Sequence, residues 1–166
     1  MDLRQEMLAE FRDELSITRR VLERVPEDKL AWQPHPKSMP LGQLVMHIAT
    51  LPGRIAKMSS DDSFDLATRI NPIPIPRETA EVIAAFEQSE RDVESTFAET
   101  SEERANATWR LMHGEREILS QPRFKVWRAF LLNHWYHHRG QLTVYLRLLD
   151  VPIPSIYGPS ADDRPF

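Results

Sequence analysis

The longest apolar segment of the chain reads "PRFKVWRAFLLNHWYHHRGQLTVYLRLL", residues 122–149. Ser120 is a candidate N-cap before it, and apolar residues recur along it at helical spacing. The segment therefore predicts one helix of roughly 40 Å, at about 1.5 Å per residue. Its apolar run is interrupted by His134, His137 and His138 within five positions. Packing alone gives a core helix no reason to carry imidazoles there, so the segment also predicts a functional site.

Three shorter amphipathic helices are predicted ahead of this segment. Asp2 is the expected N-cap of the first, and Pro26 its end. Ser38 is the expected N-cap of the second, and Pro52-Gly53 is expected to end or kink it because proline cannot donate to the carbonyl of Ile48. The expected bounds are residues 3–25, Ser38 to Pro52-Gly53, and residues 79–99.

Two connecting segments complete the predicted architecture. "NPIPIP", residues 71–76, is an extended linker that no helix can enter. Residues 107–122 combine β-forming residues around His113-Gly114, which predicts a small β-hairpin. Four amphipathic helices with one long linker predict a single all-α domain over residues 1–166, a four-helix bundle with this hairpin between helices three and four.

Composition narrows the classes of function. The chain has 166 residues, a formal net charge of −4 and no cysteine. Disulfides, thiolate metal sites, iron–sulfur clusters and a cysteine nucleophile are therefore excluded. The negative net charge and the lack of a run of basic residues argue against a nucleic-acid-binding surface. The charged N-terminus has no apolar signal segment and no window approaches a membrane span, so a cytoplasmic location is expected.

Two of the three clustered histidines have the spacing of a metal site. His134 and His138 are four residues apart, so both project from the apolar face of one helix. The same spacing serves zinc in the HExxH metalloproteases, but Trp135 stands where those enzymes carry their general base. His137 is turned aside by about 100°, the angle between successive residues of a helix, and is interpreted as a rim or interface residue. A metalloprotease of the HExxH class is excluded by Trp135 alone.

His47 is the candidate third ligand. It borders the apolar stripe of the second helix, so it can face the pair if the second and fourth helices are neighbours. Three neutral imidazoles with one open position are typical of a catalytic zinc-type site. Nickel is the second choice, because imidazole serves several divalent metals. The alternative is a core histidine satisfied by an ordinary hydrogen bond.

Other polar residues near the site have two interpretations each. Arg139 and Gln141 can orient ligands or substrate, while surface ion pairing is an alternative for Arg139. Tyr157 and Ser160 can enter the pocket from the C-terminal tail or cap a helix end. Gly140 in mid-helix favours close helix packing, since glycine there costs about 1 kcal/mol against alanine.

Two segments resemble one family. "NHWYHHRGQLTVYLRLLDVPIPSIYGPSADD", residues 133–163, resembles the C-terminal signature of the DinB-like family, in which an H-x-x-x-H-R-G-Q-L helix precedes a Pro-rich tail. "LAWQPHPKSMPLGQLVMHIATLP", residues 30–52, resembles the first histidine segment of the same family. The similarity covers almost the whole chain in the right order and spacing.

The resemblance implies a fold, a metal site and a range of activities. It implies an up-down-down-up four-helix bundle whose crossover is the "NPIPIP" linker, and a homodimer formed through the helices. The ligands of a divalent metal would be His47, His134 and His138. Relatives include S-transferases that use bacillithiol, mycothiol or glutathione, mycothiol-dependent isomerases, and proteins described as metal-dependent hydrolases.

The leading hypothesis for function is metal-assisted transfer of a low-molecular-weight thiol to an electrophile, since a metal ion can bind the thiol as thiolate at neutral pH. The first alternative is a hydrolase that uses metal-bound hydroxide. The absence of an obvious carboxylate base beside the histidines favours the thiol hypothesis. The second alternative is a non-catalytic dimeric binding module, in which loss of the histidines changes little besides stability.

Overall fold

A computed structural model describes residues 2–68 and 72–164, and most of them are helical. The helices are α1 (Leu3–Leu22), α2 (Leu41–Met58), α3 (Thr79–Glu99), α4 (Glu102–Asn106), α5 (Arg123–Val126) and α6 (His134–Leu148). A π-helix, Trp127–Asn133, joins α5 to α6, and a 3-10 turn covers Glu27–Lys29. The strands are β1 (Ser63–Asp65), β2 (Thr108–His113) and β3 (Arg116–Pro122).

The predicted fourth helix is confirmed as a continuous helical segment over residues 123–148. Its expected N-cap Ser120 is wrong, because Ser120 lies in β3 and Pro122 directly precedes the helix. The sequence pattern did not reveal that its middle is a π-helix, which ends at Asn133 directly before His134. Short π-helical segments inside α-helices frequently occur at functional sites. His134, the first of the two candidate ligands on this helix, therefore lies where regular α-helical geometry resumes.

The ends of α1 follow from local hydrogen bonds. The Asp2 carboxylate accepts from the backbone N–H of Arg4 at 3.0 Å, which confirms the predicted N-cap. The expected end at Val25 is wrong, because the helix stops at Leu22. The N–H groups of Arg24 and Val25 bond to carbonyls only three residues back, so the chain tightens out of the α-helix before Pro26.

The start of α2 differs from its prediction. Ser38 is not the N-cap, because the helix begins at Leu41. The N–H of Leu41 donates to the carbonyl of Trp32 at 2.7 Å, and the N–H of Gly42 donates to the carbonyl of Leu30 at 2.8 Å. Carbonyls of the preceding loop thus satisfy the first donors of α2, which removes the need for a side-chain cap.

Pro52-Gly53 does not end α2, which continues to Met58. The N–H of Gly53 donates to Ser89 Oγ of α3 at 2.7 Å. A Cβ on Gly53 would lie 2.8 Å from Ser89 Cα and 2.9 Å from its Oγ. The missing side chain therefore lets the backbones of α2 and α3 approach closely.

Two glycine substitutions test this packing. We expect Gly53→Ala to lower the free energy of unfolding by about 1–3 kcal/mol, because the added methyl group meets backbone of α3. Gly140 is the matched control, since a Cβ there meets nothing within 4 Å among the described residues. The expected close packing at Gly140 is therefore wrong. We expect Gly140→Ala to raise stability by up to about 1 kcal/mol through helix propensity. Urea denaturation of both variants measures the difference, and equal effects would contradict this account.

The predicted hairpin is confirmed as β2 and β3, which pair antiparallel with a bulge between Leu111 and Met112. Gly114 takes a φ of +59° at the turn, where glycine has no steric penalty. The all-α class needs a correction, because β1 adds a parallel third strand beside β2. A strand of three residues is too short to give a periodic signal.

Aromatic side chains from three helices meet in the core. The rings of Phe11 and Trp135 lie 5.3 Å apart, and those of Phe86 and Trp135 lie 6.3 Å apart.

The expected linker has no regular structure over residues 72–76, and its Asn71 lies outside the described residues. The up-down-down-up topology stays a prediction. No helix in residues 2–68 or 72–164 is long and apolar enough to cross a membrane.

Candidate metal centre

The structure brings His47 of α2 next to His134 and His138 of α6. One nitrogen of each ring lies within 4.8 Å of the other two. The ring centroids of His47 and His138 are 4.5 Å apart, those of His134 and His138 are 4.6 Å apart, and those of His47 and His134 are 5.4 Å apart. The three histidines proposed from the sequence are thus positioned to bind one metal ion.

A hydrogen bond beside the histidines fixes α2 against α6. Pro52 has no N–H for the carbonyl of Ile48, one turn back in α2. The indole N–H of Trp135 donates to that carbonyl at 3.0 Å, and both residues are fully buried. Ile48 follows His47 and Trp135 follows His134, so this bond holds the two histidine-bearing turns in register. It also explains how the helix tolerates the proline.

Gln141 orients the ring of His138. His138 Nδ1 lies 3.0 Å from Gln141 Oε1, and the amide oxygen can only accept. The pairing therefore assigns the proton of the neutral ring to Nδ1 and leaves Nε2 unprotonated. His138 Nε2 lies 2.8 Å from His134 Nε2, so the lone pair points at the second histidine. A metal-ligating histidine commonly donates its other N–H to an oxygen in this way.

The donor set fits a metal ion. His47 Nδ1 is buried and has no hydrogen-bond partner in the described part of the chain. A buried polar atom without a partner is uncommon, and a metal ion is one way to satisfy it. Two nitrogens bound tetrahedrally to one ion at about 2.0–2.1 Å are about 3.3 Å apart. The Nε2 atoms of His134 and His138, which lie 2.8 Å apart, would need to move only slightly away from each other to bind it.

All three histidines are held in the neutral form that binds metal. Burial, with the charges of His138, His134 and Arg54, lowers the pKa of His47 to about 4. Burial also lowers the pKa of His134, helped by His138 and His137. Burial lowers the pKa of His138, although the hydrogen bond to Gln141 opposes this shift. A cluster that stays unprotonated below neutral pH does not need to release protons when a metal binds at pH 7.

A substitution of Gln141 tests its orienting role. We expect Gln141→Leu to weaken metal binding by about 10–100-fold, the usual cost of removing a partner that orients a metal-ligating histidine. Gln141→Glu keeps the acceptor and should retain most of the affinity. Competition with a chromogenic chelator measures both constants. Equal affinities for wild type and Gln141→Leu, with the fold intact, would contradict the assignment.

The other flanking residues lie away from the centre or act differently from expectation. His137 is exposed, with its ring centroid 4.9 Å from that of His138, which agrees with a rim position. The surface ion pair considered for Arg139 is wrong, because Arg139 is 1% exposed and donates to Glu14 of α1 at 2.5 Å. The hydroxyl of Tyr157 donates to the other Glu14 oxygen at 3.0 Å. Tyr157 thus joins this ion pair and not the histidines.

Ser160 neither enters a pocket nor caps a helix. Its hydroxyl donates to the carbonyl of Ile153 and accepts from the N–H groups of Asp162 and Asp163, which folds the tail on itself. Glu14 was not predicted from the sequence as the partner of Arg139. Its position between Phe11 and Thr18 on the apolar stripe of α1 was the available signal, since a carboxylate there needs a buried partner.

Comparison with known proteins gives concordant matches. The model of the DinB family matches residues 1–164. The uncharacterized protein YrdA of Bacillus subtilis (strain 168) is 24% identical over 159 residues, which cover 90% of this chain and 85% of YrdA. A crystallised DinB-like protein of Bacillus cereus ATCC 10987 has 20% identity and a TM-score of 0.73, covering 92% of this chain and 97% of its own. The DinB-like protein YjoA of B. subtilis has 15% identity and a TM-score of 0.66, covering 96% and 99%. At these identities the crystal structures show a shared fold.

Proposed function

This chain belongs to the DinB family, and from that premise we propose that it is a metal-dependent enzyme that transfers a low-molecular-weight thiol to an electrophilic substrate. The observation that carries the proposal is the convergence of His47, His134 and His138, whose ligand atoms lie within 4.8 Å of one another. Zinc is the first choice of metal and nickel the second. Three imidazoles that leave a coordination position open are typical of catalytic sites.

The residues of the chain have separate tasks in this proposal. The three neutral imidazoles would hold the ion, Gln141 would keep the ring of His138 in place, and Trp135 would maintain the spacing between α2 and α6. When bound, the ion supplies a positive charge that stabilises a thiolate at neutral pH. The protein would then orient the thiol and its acceptor for reaction.

The donor set favours thiol transfer over hydrolysis. In residues 2–68 and 72–164, the group that can hold a metal consists of three histidines and contains no carboxylate. Hydrolysis of an amide or ester usually employs a general base near the nucleophile. A thiolate needs no separate base for its activation, so a site of imidazoles alone is sufficient for it.

An assay panel on metal-loaded protein tests the proposal. Conjugation of glutathione or bacillithiol to a chromogenic electrophile should exceed the uncatalysed rate, and the excess should disappear on chelation and return with zinc or nickel. Chromogenic esters and amides should not be cleaved. Ester or amide hydrolysis without thiol transfer would overturn the proposal in favour of a hydrolase. Inactivity with every acceptor, despite bound metal, would favour a non-catalytic binding module.

The homodimer and the cytoplasmic location stay predictions. Val144 and Leu148 are 57% and 58% exposed on the outer side of α6. Apolar side chains so placed are compatible with helix pairing between two copies of the chain. Light scattering coupled to gel filtration measures the mass, and a monomer at micromolar concentration would contradict the dimer.

A further inference from the structure

The π-helix Trp127–Asn133 winds less per residue than the α-helices on either side of it, because its hydrogen bonds join residues five apart instead of four. Two pairs of side chains, each eight residues apart, stand at its ends: Trp127 with Trp135, and Arg128 with Tyr136. In a regular α-helix, residues eight apart point about 80° away from each other and lie about 12 Å apart along the axis. Both members of each pair nevertheless bind the same neighbouring helix.

The tryptophan pair binds α2. The indole N–H of Trp127 donates to Ser59 Oγ at 2.8 Å, and that of Trp135 donates to the carbonyl of Ile48 at 3.0 Å. Ile48 and Ser59 are eleven residues apart, which is about three full turns, so they lie on the same side of α2. Both indoles reach that side, and the reduced winding between them allows this.

Glu10 of α1 binds the other pair. Its carboxylate accepts from both terminal nitrogens of Arg128 at 2.7 Å and from the hydroxyl of Tyr136 at 2.9 Å. The hydrogen bonds from Arg128 hold the pKa of Glu10 below its usual value; burial opposes this shift, and the bond from Tyr136 adds to it. One charged carboxylate thus bridges the π-helix from its first turn to the α-helix that follows.

The bridged segment leads directly into the metal centre. His134 follows the last residue of the π-helix, and Tyr136 lies between His134 and His138. Trp127 holds the start of the segment against α2, the helix that carries His47. Any gain in winding after Trp127 would therefore rotate His134 and His138 about their helix axis relative to His47.

We propose that Glu10 is a positioning residue of the metal centre: by holding Arg128 and Tyr136 together, it keeps the segment between them in π-helical winding and so keeps the two histidines of α6 directed at α2. Glu10 acts through the helix and not on the metal or its ligands. The inference rests on the metal centre of the proposed function, whereas it makes no use of thiol transfer.

Glu10→Ala tests this role in two measurements. In metal-free protein, amide hydrogen exchange followed by mass spectrometry is expected to become about tenfold faster over residues 127–133, because the π-helix loses its bridge. Residues 82–97 of α3 are the internal reference and should exchange as in the wild type. Competition with a chromogenic chelator should show a zinc affinity about tenfold lower, the smaller of the losses expected when a partner that orients a metal ligand is removed.

Glu10→Gln is the conservative variant. Oε1 of Glu10 accepts from both Arg128 and Tyr136, and the amide oxygen of glutamine can accept from the same two donors. Zinc affinity in this variant is therefore expected to stay within about threefold of the wild type, since most of the bridge remains.

Glu94→Ala is the matched control. Glu94 accepts from two nitrogens of Arg12 at 2.7 and 2.6 Å, and its side chain is 37% exposed, against 36% for Glu10. This variant therefore also removes a two-bond ion pair between helices at the same exposure, but one between α1 and α3 that does not involve the π-helix. Exchange over residues 127–133 and zinc affinity are expected to equal those of the wild type.

Each outcome decides one claim. Unchanged exchange over residues 127–133 in Glu10→Ala overturns the bridge, and faster exchange with wild-type zinc affinity overturns its link to the histidines. Equal changes in Glu94→Ala show a general effect of charge and overturn the inference as well. Wild-type protein that binds no zinc overturns it together with the metal centre. Zinc binding that depends on Glu10, in a protein that transfers no thiol, supports the inference and overturns the proposed function alone.

Discussion

Replacing His138 with alanine is expected to reduce bound metal from about one equivalent to a small fraction of one. His138 lies closest to both other rings, and its Nε2 is aimed at His134 Nε2. If an apparent binding energy of roughly 10 kcal/mol is shared among three ligands, losing one weakens binding by about a hundredfold or more. Elemental analysis of untagged protein after dialysis measures the loss.

His137→Ala is the matched control for this prediction. His137 sits on the same helical turn, but its imidazole is exposed and does not belong to the group that can hold a metal. Its replacement should leave the metal content near one equivalent. Equal metal content in wild type and His138→Ala, or equal losses in the two variants, would show that the ion is bound elsewhere.

Replacing Arg139 with alanine is expected to lower the free energy of unfolding by about 3–5 kcal/mol, because removing one partner of a buried ion pair leaves the other charge uncompensated. The Arg139 and Glu14 side chains are 2% and 11% exposed, and Thr18 Oγ accepts a further bond from the guanidinium at 3.0 Å. For a chain of this length the melting temperature should fall by roughly 10 °C, at about 2–4 °C per kcal/mol.

Arg12→Ala is the control, because it removes an arginine whose ion pair is exposed instead of buried. Arg12 bonds to Glu94 with two nitrogens at 2.7 and 2.6 Å, but these side chains are 54% and 37% exposed. An exposed pair contributes only about 0–1 kcal/mol, so this variant should unfold near the wild-type midpoint. The double variant Glu14→Gln/Arg139→Met should recover part of the lost stability, because it removes the buried carboxylate that Arg139→Ala leaves without its cation. Similar stabilities for Arg139→Ala and Arg12→Ala would contradict the account.

The sequence allowed the long helices and the pair of His134 and His138 to be predicted, because both depend on spacing along one helix. Residues 79–99 form α3 with the predicted bounds, since the spacing of their apolar residues is a local signal. His47 could be proposed as a partner of His134 and His138 only on the condition that α2 and α6 are neighbours. Periodicity does not fix which helices are adjacent, so the family resemblance was needed to support that condition.

The features that sequence analysis missed depend on contacts between distant residues. The loop carbonyls of Leu30 and Trp32 replace Ser38 as the cap of α2. Trp135 compensates for Pro52 from another helix, so a residue that locally favours a helix end is accommodated within the helix. Arg139 is buried only because Glu14 of α1 meets it across the interface. Local propensity predicts none of these pairings.

The most direct test of the three-histidine centre is X-ray absorption spectroscopy of protein loaded with one equivalent of zinc. The account predicts a four-coordinate shell at about 2.0–2.1 Å with the multiple-scattering pattern of three imidazoles and one light atom. Loss of one imidazole in His47→Ala should appear in the same spectrum. A shell of oxygen ligands, or fewer than three imidazoles in the wild type, would contradict the centre formed by His47, His134 and His138.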